Sequence, residues 1–406
     1  MIWQRWCMTT ATVESPPESA PSDAASPMFV VRVATVYLHV AHDHSGGAPD
    51  LGLAQRLKDA LEEDSRVTNA VAPALDPGWS PHVYAYPGID SVEDAVGVLD
   101  GQRHFHAQVF SEPINLDVHV PRKNQRTVFA DDEIPAEDYH ALWDGRSLLV
   151  AWEQSGDSHF SAAGGHVLEQ VLETAAEKVA LGIQVQACNP SCDFVFVHTD
   201  LVVVADPDAT EWTAIPDEDL AVIYVTAPVE PELDAIANRV WLRYRGALRD
   251  FADMKNLGRQ VLDLELVMRY TLDRLSSLHH ARAAALNGPL RKRPAAIWHL
   301  RAWRRQSRLL LSSLWLGLGT LEYRKRRWSD ARTQFMRSTH EADIGKLFEL
   351  DATDEMDSIR NLDVSSIEAS MEHAGSRLDA SAVVLATLLG AVAGAVAGAL
   401  VALLGG

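Results

Sequence analysis

The feature that most constrains this chain is segment 380–404, which runs 25 residues without a charge: nine Ala, six Leu, five Val, three Gly, one Ser and one Thr. As a helix rising about 1.5 Å per residue it would reach about 37 Å, more than the roughly 30 Å hydrocarbon core of a bilayer. A helix buried in a soluble core usually keeps a polar edge, and no face of this one is polar. The sequence therefore predicts a transmembrane helix over 380–404, followed by Gly405 and Gly406. With no apolar signal stretch near Met1, the expectation is a single-pass, tail-anchored membrane protein whose N-terminal bulk is cytoplasmic.

Within that segment Ala386, Gly390, Gly394, Gly398 and Ala402 recur at every fourth position. A stripe of minimal side chains lets two helix backbones approach closely, and close packing drives association in lipid. The pattern predicts a glycine zipper and a homo-oligomer. The plainer reading is compositional bias, because Arg outnumbers Lys 29 to 7, as in a GC-rich bacterium.

At 406 residues the chain exceeds what one core usually holds. Residues 1–28, rich in Ser, Pro, Ala and Glu, read as a disordered tail. Over 29–227 short apolar or alternating runs point to strands at Phe29–Val40, His82–Tyr86, His104–Phe110, Leu116–Val120, Leu148–Trp152, Ile183–Ala187, Phe194–Val204 and Ala221–Val225. Leu53–Glu62 and Val167–Leu181 carry helical spacing between them. After Pro228 the helical period dominates, with Leu233, Ile236, Val240, Tyr244, Leu248 and Phe251 on one predicted buried face. Asn287-Gly288-Pro289 breaks it, and further helical blocks are expected at about 295–350 and 355–377. The fold class expected is an α+β N-terminal cytoplasmic domain (29–227), then a helical bundle or stalk (228–377), then the C-terminal transmembrane helix.

The net charge of −20 conceals an asymmetry: residues 291–332 hold 12 basic and 2 acidic side chains. Arg301, Arg304, Arg305 and Arg308 form one cluster; Arg324, Lys325, Arg326 and Arg327 form another. Trp298, Trp303, Trp315 and Trp328 are interleaved with them. Clustered cations with interfacial Trp suit an anionic lipid surface or a protein partner. The alternatives are internal pairing with the acidic flanks, or phosphate and base contacts on nucleic acid, a partner the overall negative charge disfavours. The apolar run Leu309–Leu321 is too short to span and reads as a buried helix or an interfacial patch.

Chemistry-bearing residues are sparse. His39, His42 and His44 cluster at the end of the first strand, His104 and His106 share a strand face, and so do Asp117 and His119. These are the candidate metal ligands, without the spacing of a known metal motif. Cys188 and Cys192 flank an Asn-Pro-Ser turn upstream of His198 and Asp200, and Gly164-Gly165-His166 reads as the approach to a helix rather than a phosphate loop. No paired catalytic carboxylates or nucleophile elbow stand out, so a non-catalytic role without a cofactor is expected. The function expected is a bacterial membrane protein in which an α+β sensing or binding domain is coupled to the self-associating span. An effector or signalling component of a stress or phage-conflict system fits that plan. The alternatives are a membrane-tethered scaffold for a protein partner with a passive anchor, or a metal-dependent enzyme of the N-terminal domain.

Overall fold

A computed structural model describes residues 28–41, 52–73, 84–85, 105–125, 134–154, 164–179, 181–186, 195–217, 221–287, 293–374 and 376. The expected transmembrane helix, with Ala386, Gly390, Gly394, Gly398 and Ala402, lies outside the described residues, as does the tail before Met28.

The chain builds a mixed sheet and then helices. The strands are β1 (Met28–Ala41), β2 (Val67–Val71), β3 (Tyr84–Ala85), β4 (Phe105–Gln108), β5 (Ile114–His119), β6 (Asp138–Trp143), β7 (Ser147–Gln154), β8 (Gly182–Gln186), β9 (Asp200–Ala205), β10 (Thr213–Asp217) and β11 (Val222–Ala227). Helices α1 (Leu53–Glu62) and α2 (Val167–Lys178) are inserted between strands. The sheet runs β10-β11-β9-β1-β7-β6-β5-β2, with β11 parallel to β9 and every other described pairing antiparallel. The 14-residue β1 is the spine. One of its edges pairs with β7 and then β4, and the other with β9 and then β8.

A strand buried on both faces reads as a near-continuous apolar run, and β1 does. Phe29, Val31 and Val33 pack into one core; Val30, Ala34, Val36 and Leu38 pack into the other. The second core is capped by Leu53, Leu57 and Leu61 of α1 and by Leu168, Val171 and Leu172 of α2. Each such fully buried side chain contributes about 1.5–3 kcal/mol of hydrophobic stabilisation.

The first core is covered by α3 (Leu233–Asn287), whose Ile236, Val240, Tyr244, Leu248 and Phe251 are all buried against the sheet at the spacing its sequence predicts. Polar contacts fix its position. The buried Asp144, at the β6–β7 turn where Gly145 takes a φ of 87°, accepts from Arg249 Nε at 2.8 Å and from Ser147 N at 2.8 Å. Arg146 pairs with Asp253 at 2.6 Å, and the Tyr37 hydroxyl donates to the Ala252 carbonyl.

After the Asn287-Gly288-Pro289 break, α4 (Arg293–Ala342) returns antiparallel to α3. At 55 and 50 residues the two helices measure about 82 and 75 Å. Their closeness is visible where a Cβ on Gly317 would meet Met268 Cγ at 3.2 Å, and where Arg324 Nη1 donates to the Gln260 carbonyl at 3.2 Å. The helical block expected to reach residue 350 instead stops at Ala342, because Asp343 adopts a φ of 57°. A 3-10 turn (Gly345–Phe348), α5 (Glu349–Arg360) and a helix over 365–374 follow. Phe251, Phe335 and Phe348 stack with centroids 4.4–5.6 Å apart, so the helices share one core with the sheet.

Candidate interaction surface

Helix α4 is amphipathic along its inner face. Leu310, Leu314, Leu318, Leu321, Trp328 and Phe335 are buried in the hairpin core. Its outer face is mixed, with apolar side chains standing among the exposed Ser312, Gly319 and Glu322. Leu309 (60%), Trp315 (51%), Leu316 (67%) and Tyr323 (60%) stand exposed. Leu309, Leu316 and Tyr323 recur at seven-residue intervals, which is two helical turns and one face. Scattered exposed apolar residues are ordinary, whereas a contiguous stripe marks a surface that meets something apolar. The run Leu309–Leu321 is thus divided between the hairpin core and the exterior. Among the described residues no helix is long and apolar enough to cross a membrane.

The cations flank that stripe. Arg305 and Arg308 are exposed and Arg304 is half-buried. Together with Leu309 and Ser312 they line an open hollow of about 510 Å³. At the other end Arg326 is exposed, while Arg324, Lys325 and Arg327 are half-buried. Burial and the neighbouring Arg327 push the Arg324 guanidinium down to about 10. Arg301 and Trp298 lie on α4, but their side chains are outside the described residues. The tryptophans differ in role: Trp315 is exposed, Trp303 half-buried and Trp328 buried. Among the described residues Arg305, Arg308, Lys325, Arg326 and Arg327 form no salt bridge with a carboxylate.

The hairpin adds what the linear sequence did not suggest. The end of α3 lies beside the start of α4, bringing Arg282 within electrostatic reach of Arg304; burial and that neighbour lower the Arg282 pKa. From Arg274 to Leu321 the chain contains nine Lys or Arg and no Asp or Glu. Among the described residues, Arg282 of α3 therefore adds a cation beside Arg304 of α4.

Several of the other candidate residues are engaged in structural work. Asp117 and His119 are each partnered across the β5–β6 ladder: Asp117 with His140 at 2.6 Å, His119 with Asp138 at 2.7 Å, in direct register. The His140 hydrogen bond is the main cause of a lowered Asp117 pKa. Among the described residues no group of three or more His, Cys, Asp or Glu could hold a metal ion. His42, His44 and His104, with Cys188 and Cys192, lie outside the described residues. His39 and His106 stand on adjoining strands but are not cross-strand partners, since register sets His106 against Val40 and His39 against Ala107.

Asp200 forms a buried bidentate pair with Arg32 of β1, both contacts at 2.7 Å. The same guanidinium lies between the Trp152 and Phe196 rings and donates to the Gly164 carbonyl at 3.3 Å. Gly164-Gly165-His166 does lead into α2, with Gly165 at a φ of 84°. His198 joins the sheet to α5 through the buried Asp351, which accepts from its backbone N at 3.1 Å and contacts its Nδ1 at 3.0 Å. The sequence placed His198 and Asp200 near a thiol; their partners, 153 and 168 residues away, are invisible to local spacing.

Compared with known protein families, curated proteins and solved structures, the chain matches none.

Proposed function

We propose that this chain works at a membrane, with the outer face of α4 resting on an anionic lipid surface. The observation that carries the reading is the exposed face of Leu309, Leu316 and Tyr323, with Trp315 beside it, bordered by Arg305 and Arg308 at one end and by Lys325, Arg326 and Arg327 at the other, none of which forms a salt bridge among the described residues. An interfacial helix has this construction, with apolar side chains entering the headgroup boundary by about 5–10 Å and basic ones binding anionic lipid. Each Lys or Arg near such a surface adds about 1 kcal/mol of attraction. The uncharged segment 380–404 supports the same reading as an anchor, and its small-residue stripe as a site where copies associate. In this arrangement the sheet domain receives a signal and the span assembles in response, which suits an effector or signalling component of a stress or phage-conflict system.

Limited trypsin digestion of the full chain in vesicles tests the docking. In vesicles containing anionic lipid at low salt, cleavage at Arg305, Arg308 and Arg326 should be slow. Neutral vesicles or high salt should restore rapid cleavage. Equal cleavage in all three conditions would remove the reading. Crosslinking tests the assembly: replacing Gly390, Gly394 and Gly398 by Leu should abolish oligomers, and unchanged oligomers would reduce the span to a passive anchor.

A further inference from the structure

The β5–β6 ladder brings two buried polar atoms to one sheet face and gives neither a partner. His140 lies directly opposite Asp117, and Asn115, two residues before Asp117, lies opposite Leu142. Cross-strand partners share a face, so all four side chains stand on the side where Leu142, Leu149 and Ala151 enter the first core. Asp117 is fully engaged: one carboxylate oxygen contacts His140 Nδ1 at 2.6 Å, and the other accepts from Asn69 Nδ2 at 2.9 Å. An ionised carboxylate only accepts, and the His140 hydrogen bond is the main influence holding Asp117 in that form. The imidazole proton facing it therefore sits on Nδ1, and Nε2 of the neutral ring keeps a lone pair. His140 is 5% exposed. Its Nε2 and Asn115 Oδ1 are both out of contact with solvent, and among the described residues neither has a hydrogen-bond partner.

We propose that Asn115 and His140 hold a single internal water molecule, which donates one hydrogen to His140 Nε2 and the other to Asn115 Oδ1. Two acceptors cannot satisfy each other, and each costs about 1–3 kcal/mol when buried without a donor. Asn115 and His140 are diagonal neighbours across the ladder, a relation that sets backbones about 7–8 Å apart and side chains closer. A molecule donating to both at about 2.8 Å links acceptors up to about 5.6 Å apart, which suits that separation. Water is the ligand of that size with two donors, and polar sites with two to four partners are where proteins bury it. The water completes a polar chain through Asn69, Asp117, His140 and Asn115, so side chains as well as backbone tie β2 and β6 to β5.

The test uses the full chain in nonionic detergent, labelled with nitrogen-15 at histidine. Long-range nitrogen–proton spectra near neutral pH should show His140 protonated at Nδ1 alone, with cross-relaxation from its ring protons to a bound water. A proton on Nε2, a scalar coupling between Nε2 and the Asn115 amide, or ring protons without a water contact would overturn the proposal in favour of a direct bond between the two side chains. These spectra are taken on the unsubstituted chain, so they decide the matter even where a variant fails to fold. Urea unfolding gives the second reading. His140→Phe and Asn115→Leu should each raise the unfolding equilibrium constant about tenfold, since each leaves the water short of an acceptor. The double variant removes both acceptors and the water together, and should lose no more than the worse single. Losses that multiply to about a hundredfold would show that the two side chains share no ligand.

Discussion

Replacing Arg32 by Met should destabilise this protein more than any change on its surface. Arg32 and Asp200 are each 6% exposed, and the guanidinium engages both carboxylate oxygens at 2.7 Å. Removing the cation leaves Asp200 as an uncompensated charge between β1 and the start of β9, and also takes the Gly164 carbonyl's donor. Breaking a buried pair in this way costs about 3–5 kcal/mol. The lost stacking on Trp152 and Phe196 adds about 0.5–2 kcal/mol. Taking an m-value of about 3 kcal/mol/M, the urea midpoint of the full chain in nonionic detergent should fall by about 1.2–2.3 M. The double variant Arg32→Met/Asp200→Leu should recover most of the loss, because desolvation of two charges roughly offsets their attraction. A single variant within about 1 kcal/mol of the parent, or a double variant no better than the single, would refute the reasoning.

Other consequences follow from the same packing. Asp263 on α3 is buried, and burial pushes its pKa up to about 6 from 3.8. The folded state therefore holds this proton more tightly than the unfolded one, giving stability that is full below about pH 4 and lost as pH rises through about 6, of order 2–3 kcal/mol. Asp263→Asn should flatten the pH dependence of unfolding across that window and stabilise the protein at pH 7.5; an unchanged profile would show that another group is responsible. Gly164→Ala would set a Cβ 2.8 Å from the Trp152 ring, and should cost about 1–3 kcal/mol by thermal unfolding. Asp351→Ala strips two contacts from His198, and should both lower stability by about 1–3 kcal/mol and quicken hydrogen exchange across α5.

Much of the fold was legible where one physical signal dominated. The Leu53, Leu57, Leu61 stripe gave α1 its bounds, and the long apolar run of Phe29–Val40 gave β1. Three strands were not. In β6, Tyr139 to Trp143 are all buried, so both faces are covered and no alternation shows. The edge strand β10 is largely exposed and contains Pro216, so it shows no strand alternation. The short β2 pairs with β5 across a register shift at Val67/Asn69. Long-range polar partners were equally hidden. An Arg inside β1's apolar run signals that some anion must meet it, but nothing local names Asp200. On α4 the clusters of cations were plain in the sequence. What required the fold was the division of Leu309–Leu321 into buried and exposed sets, and the arrival of Arg282 from α3.

The membrane reading stands on the outer face of α4, and a nitroxide at position 316 tests it most directly. In a full chain with Cys7, Cys188 and Cys192 replaced by Ser, a label at 316 and a comparison label at 215, the exposed side chain of β10, are read in vesicles containing anionic lipid. The account predicts that the label at 316 relaxes with dissolved oxygen and is shielded from a water-soluble nickel chelate, while the label at 215 behaves oppositely. Equal exposure of both labels to the nickel chelate would contradict it.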